Sequence, residues 1–216
     1  MVFVAGLIWA ASASAGCNPG RPQYHGSYQD GWALSALTCI TGSQADIYNG
    51  NPYVYSGATP STVWTMIDNN GNSYGQIGYQ VDSSGTRKNF YEYNDADTGY
   101  LPVDKTWGSS PIFTSPNYKI TYSSDYFHMF VDGVNYWNVS SPSFVGCYAE
   151  QAAEIHNKDS QMPGIVSNHE TIDNFQVRDN SGWNSNAATY PYNDNTSWFG
   201  QAFDPLDIET WDKACS

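Results

Sequence analysis

Tyr126-Phe-His-Met-Phe-Val131, then Asp132-Gly133, then Val134-Asn-Tyr-Trp-Asn-Val139 is the stretch whose reading decides the fold. Two aromatic and β-branched runs flank a dipeptide that favours the left-handed backbone of a tight primed turn, so the segment predicts a β-hairpin. Strand signals continue on both sides of it. Tyr118–Tyr122 precedes the hairpin, while Phe144–Asn157 and Thr171–Arg178 follow it as longer strands. Towards the N-terminus, Val63–Asp68 breaks at Asn69-Asn-Gly-Asn72, Tyr74–Asp82 breaks at Ser83-Ser-Gly85, and Asn89–Tyr93 ends at Asn94-Asp95. These are turn-forming clusters between runs of strand-favouring residues. Residues 17–60 read as short strands and turns punctuated by Asn49-Gly50-Asn51-Pro52, and Pro205–Lys213 hints at a short helix. Roughly ten strands without crossover helices predict an all-β protein, an antiparallel two-sheet β-sandwich of the jelly-roll or concanavalin-like kind. A curved sheet in such a sandwich offers a concave face on which a polymer can lie.

Composition agrees with that class. Aromatics make up 16% of the 216 residues, Gly, Asn and Ser are abundant, and long Ala/Leu/Glu/Lys segments are missing. A chain of this length suits one β-rich domain, expected over residues 16–216. The formal net charge is −13, with only eight Lys and Arg. Phosphate backbones and anionic lipid surfaces are held by cationic side chains, so neither nucleic acid nor membrane is an expected partner, and a monomer is expected.

The first residues carry an apolar run, Val2 to Ala11, followed by Ser12-Ala13-Ser14-Ala15-Gly16. Small residues at Ala13 and Ala15 suit cleavage after Ala15, so residues 1–15 read as a signal peptide and the protein as secreted. Cys17, Cys39, Cys147 and Cys215 all follow that point. An even count in an exported chain favours disulfides; of the three connectivities, Cys17–Cys39 and Cys147–Cys215 are favoured. No Cys-x-x-Cys occurs, and His25, His128, His156 and His169 lack metal-ligand spacing, so neither metal nor cofactor is expected. Asn138-Val-Ser140 and Asn195-Thr-Ser197 are glycosylation sequons, meaningful in a eukaryotic secretory host.

The polar residues inside the strand runs carry the chemistry. Gln76, Glu92 and Glu154 each stand alone among aromatic and β-branched neighbours. By strand alternation Gln76 shares a face with Tyr74 and Gly78, Glu92 with Phe90 and Asn94, and Glu154 with Ala152 and His156. Taken singly, a strand Glu most often points into solvent. Facing one hollow, the three would combine a carboxylate that moves a proton with an amide that stabilises charge without titrating. Gly78, two residues from Gln76, is expected to open space for a substrate backbone. His156 reads as a strand residue with a local partner rather than a base. Trp183, Trp198 and Trp211 read as core and disulfide cover rather than a sugar platform.

These segments resemble the signature of the eqolisin family, glutamic peptidases built on a two-sheet β-sandwich. Its Trp-x-x-Ile-Asp segment is matched by Trp64, Ile67 and Asp68, its Gln-Thr-Gly by Gln76-Ile-Gly78, and its aromatic-Tyr-Glu-Trp by Phe90-Tyr91-Glu92-Tyr93. Its Ala-Glu is matched by Ala153-Glu154 and a later Phe strand by Asp173-Asn-Phe175, all in the family's order between Val63 and Val177. The resemblance implies that Glu154 is the catalytic acid/base and Gln76 the oxyanion donor. It implies that Glu92 and Asp68 are supporting or alternative catalytic groups, that Trp64, Tyr74, Gly78 and Tyr91 line the cleft, and that the substrate is a polypeptide. The chain departs from the pattern at Gln80, at Tyr93 and at Ile155-His156-Asn157-Lys158. A weaker resemblance joins it to the neprosin-type peptidases, in which Glu92 and Glu154 would form a two-glutamate dyad.

Two further classes compete. A jelly-roll glycoside hydrolase would place Glu92 and Glu154 either side of a glycosidic bond, and a non-catalytic carbohydrate-binding sandwich would suit the aromatic content. No Gly-x-Ser-x-Gly elbow supports a serine hydrolase.

Overall fold

The computed structural model describes residues 26–33, 40–69, 73–95, 103–140, 146, 148–157, 159–185, 190–193, 196–204 and 207–215. The expected signal peptide, Cys17, Cys39 and Cys147 lie outside them, as do the pairings assigned to these cysteines. Cys215 is buried and disulfide-bonded.

Numbered in chain order, the fifteen strands among the described residues form two antiparallel sheets. The seven-stranded sheet runs β13 (Tyr190–Asn193), β1 (Gly26–Ala33), β10 (Tyr148–Ile155), β3 (Ser61–Asp68), β4 (Tyr74–Val81), β5 (Arg87–Asn94), β6 (Val103–Trp107). The eight-stranded sheet contains β14 (Phe199–Asp204), β15 (Asp207–Asp212), β11 (Glu170–Asp179), β2 (Gly42–Ile47), β7 (Asn117–Ser123), β8 (Tyr126–Val131) and β9 (Val134–Ser140), with β12 (Gly182–Asn184) paired to β11. The two-sheet all-β sandwich is therefore the fold. The β8–β9 hairpin forms as expected: Asp132 and Gly133 both take positive φ, 50° and 77°, the conformation the Asp-Gly pair adopts most readily.

Two expectations fail. Among the described residues 207–213 no helix forms, because Asp207-Ile-Glu-Thr-Trp-Asp212 alternates in burial and pairs as β15 with both β14 and β11. The strand number exceeds ten, since β6 and the strands after Asp179 carry weak signals that long-range pairing completes. Trp198 packs against the core, Trp211 is covered by the His169 ring at 3.9 Å, and Trp183 is exposed.

Strict alternation divides the seven-stranded sheet into two faces. Val63, Ile67, Ile77, Tyr79, Tyr91, Ala149 and Ala153 face the second sheet and join one core cluster with Ile47, Ile120, Phe127, Phe175 and others. Trp64, Met66, Phe90 and Ala152 form a separate cluster on the outer face, with Tyr74 against it. Burial of the inner-face side chains supplies the main drive for docking the sheets. Polar bonds fix their relative position: Ser43 Oγ meets Thr65 Oγ1 at 2.5 Å, and the Tyr79 hydroxyl donates to Glu170 Oε1 at 2.7 Å. The Tyr118 hydroxyl likewise donates to Asn89 Oδ1 at 2.8 Å.

Candidate active site

The outer face of the seven-stranded sheet is hollowed by a pocket of about 80 Å³ lined by Gln76, Gln80, Phe90, Glu92, Asp104, Glu154, His156, Thr62, Thr59 and Pro60. The structure thus brings together Gln76, Glu92 and Glu154, which come from strands β4, β5 and β10. Pairing explains the meeting of Gln76 with Glu92 and puts Glu154 on the same face in the row of Thr62 and Gln80, four residues along β4 from Gln76. Gln76 stands directly opposite Glu92 across the β4–β5 ladder, while Glu154 stands opposite Thr62 on β3, the strand between β10 and β4.

Each acidic group is held by named donors. Trp64 Nε1 donates to Glu154 Oε2 at 3.3 Å, and His156 Nε2 lies 3.2 Å from Glu154 Oε1. The Tyr74 hydroxyl donates to Glu92 Oε1, and Gln76 Nε2 donates to Glu92 Oε2 at 3.3 Å. Glu92 therefore orients the Gln76 amide, fixing which end carries the N–H groups. Burial pushes the Glu92 carboxyl up, Asp104 and Glu154 add to the shift, and the Tyr74 hydrogen bond opposes it. Burial also raises Asp104. The bond to Glu154 raises His156, against the effect of burial. Burial and the bond to Glu92 raise Tyr74, keeping its hydroxyl a neutral donor.

The residues assigned to the cleft wall take other places. Trp64 and Tyr74 sit on the outer face but act as anchors for Glu154 and Glu92; neither lines the pocket. Tyr91 is 2% exposed on the inner face, its ring tilted against those of Trp107 and Trp137 with centroids 6.1 and 5.4 Å away. Alternation makes this unavoidable: with Phe90 and Glu92 facing out, Tyr91 must face the core. Gly78 gives no room to a substrate, because a Cβ there would lie 1.9 Å from the Val63 carbonyl oxygen and 2.7 Å from Trp64 Cα. Its lack of a side chain lets the β3 backbone close onto β4. Gly78→Ala is accordingly expected to destabilise the protein by about 1–3 kcal/mol, the usual cost of an overpacked site. Denaturant unfolding measures it, and an unchanged midpoint would contradict this packing.

Asp68 stands at the far end of β3 and hydrogen-bonds Glu150 rather than Gln76 or Glu154. Burial and the neighbouring Asp68 together push the Glu150 carboxyl up, so this pair holds a proton between its members. Reading the sequence alone missed Glu150, although it shares a face with Ala152 and Glu154. Asp104 was missed because β6 was not foreseen. Among the described residues, no group of three or more His, Cys, Asp or Glu is arranged to hold a metal ion. Nor is any helix among them long and apolar enough to cross a membrane.

No family profile and no curated protein sequence matches the chain. Solved structures do. Scytalido-glutamic peptidase with a peptide-based transition-state analog superposes with a TM-score of 0.63 at 14% identity, covering 88% of this chain and 98% of that one. SCP-B, a member of the eqolisin family of peptidases, in complex with the tripeptide Ala-Ile-His, superposes at 0.62 and 13% identity, with the same coverage. At such identity the likeness is one of fold.

Proposed function

We propose that the outer-face pocket is the active site of an acid-active glutamic endopeptidase, with Glu154 as general base and acid and Gln76 as oxyanion donor. What carries this reading is the meeting of Gln76, Glu92 and Glu154 in one pocket, on a sandwich whose solved likenesses include glutamic peptidases. Glu154 as carboxylate takes a proton from water as its oxygen attacks the scissile carbonyl. The Gln76 amide donates to the oxygen that gains negative charge, and the proton then passes to the departing nitrogen. A preorganised amide suits the second task because it needs no change of protonation state. Carboxylates titrate near 4.3 in water, so a Glu that takes and returns a proton works best in acid.

In this scheme Glu92 positions Gln76, and Asp68 supports the sheet through Glu150. The substrate is an unfolded polypeptide, and the protein is a secreted monomer released by cleavage after Ala15. The glycosidase arrangement has less support: both Glu92 oxygens accept hydrogen bonds, from Tyr74 and Gln76, which suits an orienting group better than a proton donor. Incubating the protein with acid-denatured globin and sequencing the products by mass spectrometry tests the reading. New internal termini that accumulate at low pH are expected. Intact globin, with reducing sugar released from β-glucan instead, would overturn it.

A further inference from the structure

His156 lies just beyond β10, two residues from Glu154, so extended geometry puts both side chains on the same face. Its ring lines the pocket and is the one basic side chain among the lining residues. Nε2 sits 3.2 Å from Glu154 Oε1, with 40% of the His156 side chain and 24% of the Glu154 side chain exposed, so substrate can reach both. The two oxygens of Glu154 thus face different partners. Trp64 Nε1 is an indole N–H that donates and never titrates, whereas the imidazole can exchange a proton.

From this geometry we infer that His156, in place of direct return from Glu154, is the proton donor to the leaving nitrogen, while Glu154 keeps the base step; the inference rests on the peptidase reading of the same site. Before reaction Glu154 is a carboxylate and His156 an imidazolium. Water loses one proton to Glu154 as its oxygen bonds to the carbonyl carbon, and the carbonyl oxygen becomes the oxyanion. The carbon–nitrogen bond breaks as His156 gives its Nε2 proton to nitrogen, leaving neutral amine, protonated Glu154 and neutral imidazole. The proton on Glu154 then crosses to Nε2 and restores the starting pair, so protons balance over the cycle.

The charges around the ring favour the imidazolium. Glu154 from β10 contributes most, Glu92 from β5 adds to it, and Asp104 from β6 lines the same pocket, while Tyr74 stays neutral. His156 is thereby held protonated above its ordinary 6.5. The pair ties the fall of activity at high pH to the deprotonation of the imidazolium.

The test is the pH dependence of kcat on one internally quenched peptide for the wild type, His156→Gln and His156→Leu. In the wild type the alkaline limb is expected above about 6.5, set by the imidazolium, and in both variants that limb should be lost. Near pH 7 the variants should lose about 10²-fold in kcat, with KM little changed. Profiles that superimpose on the wild type would overturn the assignment while leaving the peptidase reading intact. No cleavage by the wild type at any pH would overturn both. As a check independent of turnover, the NMR titration midpoint of His156 should drop in Glu154→Gln; an unmoved midpoint contradicts the pairing.

Discussion

Glu154→Gln is expected to lower kcat on a peptide substrate by about 10²–10⁴-fold, the usual contribution of a positioned general base. The substitution is nearly isosteric. Its amide oxygen can still accept from Trp64 Nε1, so the outer-face packing of Trp64 against Met66, Phe90 and Ala152 is retained. It removes the capacity to take a proton from water and the ionic contact to His156 at 3.2 Å. Because that contact is partly exposed, the loss of stability should stay within about 1 kcal/mol. Steady-state kinetics with thermal unfolding on the same sample separates the two effects. Wild-type turnover in a folded variant would contradict the role of Glu154.

The second large effect concerns pH and the packing of the sheets. Glu170 at the start of β11 is 1% exposed, and burial raises its carboxyl from an ordinary 4.5 to about 8, with the Tyr79 and Gly50 hydrogen bonds opposing the shift. A carboxyl raised on folding binds its proton more tightly in the native state than in the unfolded chain. Its contribution to stability is therefore complete below about 4.5, falls as pH rises, and is gone above about 8. At about 1.4 kcal/mol per pKa unit the loss amounts to several kcal/mol. Glu150, raised by burial and by the neighbouring Asp68, acts in the same direction. The thermal midpoint should accordingly be highest in acid and decline towards neutrality.

Glu170→Gln isolates the Glu170 contribution, because an amide oxygen can accept the Tyr79 hydroxyl and never ionises. Near pH 4 the variant should match the wild type within about 1 kcal/mol, and near pH 8 it should be the more stable of the two. Calorimetry at the two pH values reads the crossover. A variant less stable than the wild type at both would contradict the buried neutral acid. The same chemistry favours a protein that works in acid, where its active site and its cross-sheet bond ask for the same range.

How much of this could be read from the sequence depends on whether the relevant physics is local. Strand alternation is local, and it placed Gln76, Glu92 and Glu154 on faces that prove to be the same face. The Asp132-Gly133 turn is local too, and the hairpin followed from it. Asp207–Asp212 also alternates, so its strand is legible in the sequence even though the segment hints at a helix. The identity of neighbours across a ladder is not local. Nothing near Asp68 shows that β3 lies beside β10 with Glu150 within hydrogen-bonding reach, and nothing near Tyr79 shows Glu170 across the core. Tyr91 was misplaced by following the family likeness against the alternation of its own strand. Gly78 was read as space for a ligand when its neighbour is the backbone of Val63 and Trp64. His156 finds the local partner expected of it, Glu154, whereas the acidic groups brought near it by β5 and β6 are not legible from its own neighbours in the chain.

The central claim is that Gln76 and Glu154 act on the same reacting group, and a double-mutant cycle in kcat/KM tests it most directly. Gln76→Ala alone should cost about 10²–10³-fold, the usual loss of one oxyanion donor. Groups that act as a unit are strongly non-additive. Gln76→Ala combined with Glu154→Gln is therefore predicted to be little worse than Glu154→Gln alone. Losses that multiply, or a Gln76→Ala variant with wild-type kcat/KM, would contradict the claim.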